Sequence, residues 1–149
     1  MTSTTMPSAM LPSAAPTDNS GRLLLLAIRR VAIGGLDDAH AAAAMLGYFG
    51  RSYRRPLVLL RALMAELARA ATAPITVAPP CCPRMTAAEG LIVASVAEAA
   101  TDPMSAIESL SVVLGTRDCI GAFGSAEALS QAFADLGRPL ALSEASGLR

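Results

Sequence analysis

The chain has 149 residues, 53% of them apolar and only 3% aromatic, and its twelve acidic and twelve basic side chains cancel at neutral pH. Every basic residue is an arginine, and alanine fills 31 positions. One domain fits this length, and small helix-forming side chains favour an all-α fold. Zero net charge removes the global electrostatic argument for nucleic acid or an anionic membrane.

Residues 1–20 are small and polar with three prolines and no hydrophobic period, the signature of a flexible arm. A secretory leader is not expected, because the first basic residue is Arg22 and the apolar run Leu23 to Ile28 is short. Leu57 to Ala68 is interrupted by Arg61 and Glu66, far from the ~20 apolar residues of a membrane span. No membrane insertion is expected. Three cysteines, two of them adjacent, make a poor disulfide framework and suit a reducing, cytoplasmic setting.

A first helix is expected from about Gly21 to Ile33, capped by Ser20 and ended by Gly34–Gly35, with Arg22, Arg29 and Arg30 on its wet edge. Asp37 or Asp38 caps a second helix, whose Ala41 to Ala44 present a slim surface. Pro56 suits the first turn of a third. In it Leu57, Leu60, Met64 and Leu67 recur at helical spacing, and Leu63 widens the stripe. The proline-rich stretch 72–85 breaks the helix and becomes stiff and extended, with Ile75–Val77 at most a minor strand.

Thr86 and Glu89 have the spacing of a reciprocal capping box opening a fourth helix, which offers Leu91, Ile92, Val93 and Val96 for burial. Asp102–Pro103 starts a fifth, ended by Gly115. Residues 116–124 read as a turn or short helical piece, and Ser125 as the cap of a last helix to about Leu136. The expected fold is all-α: a single compact bundle of five or six short helices over residues 21–141, with a flexible tail at 142–149.

Two stretches could make contacts. Cys81, Cys82 and Arg84 lie in a stiff Pro-Pro-Cys-Cys-Pro-Arg turn leading to a capped helix, where the dipole and Arg84 could stabilise a thiolate or an anion. The structural alternative is an inward thiol on a proline-fixed turn. Arg51, Tyr53, Arg54 and Arg55 combine three guanidinium groups and a ring at a helix junction, suited to a small anionic ligand or an acidic protein partner. Specific DNA binding is not expected, since no helix carries a row of base-reading side chains. His40, Cys81, Cys82 and Cys119 form a formal metal set without the usual paired-cysteine spacing, so no metal or cofactor is assigned. Met45, Met64, Met85 and Met104 read as packing residues. No catalytic set emerges, and the alanine-rich faces leave a homo-oligomer open.

Across RRVAIGGLDDAHAA, GRSYRRPLVLLRALMAELARA, CCPRMTAAE, RDCIGA and QAFADLGRPL the chain resembles a small family of uncharacterised proteins from sphingomonad-type alphaproteobacteria. The resemblance spans residues 22–141 and implies a self-contained cytoplasmic domain with no activity to transfer. The sequence supports a noncatalytic helical interaction or regulatory module. The alternative is a small-ligand or metal-binding protein using the Cys81–Cys82 turn.

Overall fold

A computed structural model describes residues 13–142. Six α-helices pack together: α1 (Asn19–Gly34), α2 (Ala39–Phe49), α3 (Arg54–Ala70), α4 (Ala87–Glu98), α5 (Pro103–Leu114) and α6 (Ile120–Asp135), with one 3-10 turn at Gly50–Ser52. The all-α bundle is therefore observed. The strands described are β1 (Ser13–Ala14) and β2 (Arg84–Met85), paired antiparallel with Ser13 opposite Met85. The described residues thus include 13–20 of the expected 1–20 arm, with β1 among them. Residues 1–12 of that arm and 143–149 of the expected tail lie outside the described residues.

Helix starts follow local chemistry. Asp38 accepts from Ala41 N–H at 2.9 Å, Asp102 from Ser105 N–H at 3.2 Å, and Thr86 and Glu89 form the reciprocal box. At α1 the cap is Asp18, which accepts from Gly21 N–H at 2.8 Å, instead of Ser20. Ser20 is buried and joins Tyr48 Oη (2.7 Å) to the Arg138 carbonyl (2.9 Å), tying the start of α1 to the end of α2 and to the chain after α6. Arg138 also stacks over the Tyr48 ring, 4.6 Å from its centroid.

The last helix starts five residues before the expected Ser125. Ala122, Ala126, Leu129 and Phe133 form one buried stripe, and that continuity carries the helix back through Gly121 and Gly124. Gly121 lets α6 press on α3: a methyl group there would collide with the Glu66 carboxylate. On α3 the expected stripe holds, with Leu57, Leu60, Leu63 and Leu67 buried. Fully burying one leucine stabilises by about 1.5–3 kcal/mol, so this face dominates the surface ion pairs around it.

Three expectations need correction. Ile75–Val77 forms no strand; the short pairing falls at Arg84–Met85. Met104 is exposed, while Met45 and Met85 are buried. Arg29 is not on a wet edge, because it is 1% exposed and lies at the centre of the site below.

Candidate functional site

The proline-rich stretch between α3 and α4 has few backbone partners of its own, and side chains hold it down. Its first end is fixed where Thr72 N–H and Oγ1 both donate to the Leu114 carbonyl at 2.9 Å. Further along, Thr86 Oγ1 donates to the Thr76 carbonyl at 2.8 Å. Ala78 N–H then donates to Glu89 Oε2 at 3.0 Å.

Beyond Ala78 the anchor is Arg29. Its Nη1 reaches the carbonyls of Cys82 (2.8 Å) and Pro80 (3.4 Å), and its Nη2 that of Arg84 (2.8 Å). The same guanidinium makes a two-pronged ion pair with Glu89, Nε to Oε2 at 2.8 Å and Nη2 to Oε1 at 3.0 Å. Glu89 is fully buried, and each of its oxygens accepts one further backbone amide, Ala78 on Oε2 and Thr86 on Oε1. A buried charge is tolerable when its hydrogen-bonding capacity is filled in this way. One ion pair therefore joins α1, α4 and the loop between α3 and α4.

The clamped loop roofs a pocket. Its floor is Ile28 and Val31 of α1, Leu67 of α3 and Ile92 of α4; Ala32, Met64 and Ala68 form the walls, and Ile75 and Val77 project from the loop. Leu36 is 43% exposed at its margin. The volume is about 600 Å³, within the ~300–1,000 Å³ of small-molecule sites. No charged side chain lines it, and the one polar side chain, Thr72, spends its hydroxyl proton on Leu114.

The sequence candidates fall elsewhere. Cys81 is exposed and Cys82 half-buried in a turn closed by Cys82 N–H on the Pro79 carbonyl at 3.0 Å. The turn's carbonyls face Arg29, and Thr86 Oγ1 already accepts the Glu89 amide at the start of α4. Cys119 is buried at the start of α6, its Sγ 3.6 Å from Ser111 Oγ. His40 is exposed, with Nδ1 3.7 Å from Asp38. Among the described residues no group of three or more His, Cys, Asp or Glu could hold a metal ion, so His40, Cys81, Cys82 and Cys119 do not form a metal centre. His40 lies in α2, Cys81 and Cys82 share the loop before α4, and Cys119 directly precedes α6.

At the other candidate, Arg51 and Arg54 are exposed, their guanidinium groups making no hydrogen bond or ion pair among the described residues, and Tyr53 is half-buried. Arg55 pairs with Asp135 at 2.9 Å, both side chains partly in water. The Asp135 carboxyl is held below its ordinary value by hydrogen bonds, first from Gln131 and then from Arg55.

Sequence reasoning identified Glu89 as a cap but missed its partner. No local signal singles Arg29 out: it follows Leu25 at the same four-residue spacing by which Arg30 follows Leu26, and of the two only Arg29 is buried. The pocket has none either, because α1, α3 with the loop that follows it, and α4 build it together.

Among the described residues no helix is long and apolar enough to cross a membrane. No curated protein and no solved structure matches the chain. Residues 2–138 match the Family of unknown function (DUF6628), and the chain belongs to that family.

Proposed function

We propose that the chain is a noncatalytic binding domain whose site is the apolar pocket under the 72–78 loop. The observation that carries this reading is the pocket's chemistry: a concave volume of about 600 Å³, free of charged side chains, under a roof anchored at Thr72, Thr76 and Ala78. Apolar contact supplies affinity in such a site, at roughly 25 cal/mol per Å² removed from water. The three unbridged cysteines support a reducing, cytoplasmic setting for this module.

The neutral dye N-phenyl-1-naphthylamine tests the reading, because the chain lacks tryptophan and gives a low emission background. Saturable one-to-one binding is expected, lost in Ala68→Trp, which fills the pocket from its rim. Unchanged dye affinity in that folded variant would refute the site.

A second reading concerns Arg51 and Arg54. Both guanidinium groups are exposed and unpartnered among the described residues, and this supports contact with an acidic protein surface or small anion near Tyr53. Salt-sensitive binding to a polyglutamate column, weakened in R51A/R54A, is its test.

A further inference from the structure

The roof carries a second kind of chemistry. Residues 74–79 contain no bend or turn, and their two inward backbone bonds fall two residues apart, at Thr76 and Ala78, as in an extended chain whose successive residues turn their N–H and C=O groups to opposite edges. The edge bearing Thr76 and Ala78 is engaged from inside: Thr86 Oγ1 donates to the Thr76 carbonyl, and Ala78 N–H donates to Glu89. The opposite edge belongs to Ile75 and Val77. Their N–H and C=O groups make no hydrogen bond among the described residues.

Proline placement respects this division. Pro74, which lacks an N–H, falls on the engaged edge and leaves the open one intact. Pro79 ends the open edge, and its carbonyl already accepts from Cys82 N–H at 3.0 Å. The side chains of Ile75 and Val77 line the pocket, and Thr76 is exposed. The open donors and acceptors thus recur every two residues, about 6.6 Å apart, directly beside an apolar cavity.

We propose that Ile75 and Val77 form a docking edge for an extended peptide segment of a partner protein, which pairs with them backbone to backbone and places an apolar side chain in the pocket. The inference rests on the pocket being the binding site. A peptide is the fitting occupant because its own backbone repeats donor and acceptor with the same two-residue period. Ile75 and Val77 are half-buried as residues, and an unpaired backbone group gains most from such pairing where water reaches it less freely. The uncharged lining requires apolar residues on the inward face of the segment, because an unpaired charge would lose its hydration there.

The test uses the full chain and the capped peptide acetyl-Ser-Leu-Ser-Val-Ser-Leu-Ser-amide. Two N-methylated forms accompany it, one blocked at the Leu and Val amides and the other at the Ser amides. Strand addition uses one set of amides, so one blocked form is expected to bind about tenfold or more weaker while the other matches the parent. Val77→Pro removes a donor from the open edge together with a pocket-lining side chain, so it is expected to weaken the parent peptide by a larger factor than it weakens N-phenyl-1-naphthylamine. If that variant does not fold, the methylated peptides on the wild-type chain still decide.

Equal binding of both blocked forms overturns the proposal. So does a parent peptide that fails to bind a chain that still takes the dye, and that result leaves the pocket reading standing. Concentration-dependent self-association abolished by Ala68→Trp would assign the edge to a second copy of this chain and also overturn it.

Discussion

Arg29→Met removes the guanidinium and keeps most of the side-chain volume. It leaves Glu89 fully buried with only the Ala78 and Thr86 amides as partners, and it strips the donors from the carbonyls of Pro80, Cys82 and Arg84. Breaking one side of a buried ion pair costs about 3–5 kcal/mol, a large share of the ~5–15 kcal/mol that holds a domain folded. For a chain of this size each kcal/mol lowers Tm by about 2–4 °C, so a fall of about 6–20 °C is expected. Glu89→Leu acts in the same direction by stranding Arg29. The double variant removes both charges but still leaves loop carbonyls and amides unpaired. It should therefore be destabilised, yet by at least about 1 kcal/mol less than the two single effects added. Urea unfolding followed by circular dichroism at 222 nm measures all three. Single losses below about 1 kcal/mol, or strict additivity, would refute the buried clamp.

Other predictions read separate parts of the fold. Gly115 has φ +71°, and a methyl there would strike Thr72 Oγ1, so Gly115→Ala should cost about 1–3 kcal/mol by the same denaturation assay. Timed maleimide labelling followed by peptide mapping should modify Cys81 first and Cys119 only as fast as the fold opens, whereas early Cys119 labelling would contradict its burial. The Asp135 carboxyl titrates below its ordinary value of 3.8, so its contribution to stability is present above that pH and is lost as pH falls through the lower folded-state value. Carboxyl NMR titration should show the midpoint rising toward 3.8 in Gln131→Ala and in Arg55→Ala, and an unmoved midpoint in both would rule out the assigned cause.

Local signals account for much of the fold. The Thr86–Glu89 box, the Asp102–Pro103 start and the leucine stripe of α3 each depend on residues within four positions of one another, and each is observed. Where expectation and structure part, distant contacts decide. Ser20 has the right chemistry to cap α1, but its hydroxyl is committed to Tyr48 and Arg138, and Asp18 takes the role. Ser125 is an acceptable cap by type, yet packing against α3 extends α6 back to Ile120. Arg29 looks like a surface arginine beside Arg30 until Glu89, sixty positions away, arrives as its counter-charge. The pocket depends on that meeting too, because without Arg29 and Glu89 the proline-rich loop would have few anchors over the apolar floor.

The most direct measurement is methyl NMR on the full chain, with isoleucine, leucine, valine and methionine methyls labelled, titrated with N-phenyl-1-naphthylamine. Saturable shifts and intermolecular NOEs are predicted at Ile28, Met64, Ile75, Val77 and Ile92, with Leu110 and Leu129, which are buried but do not line the pocket, unmoved. Contacts clustered elsewhere, or shifts that grow without saturation, would contradict a binding pocket beneath the loop.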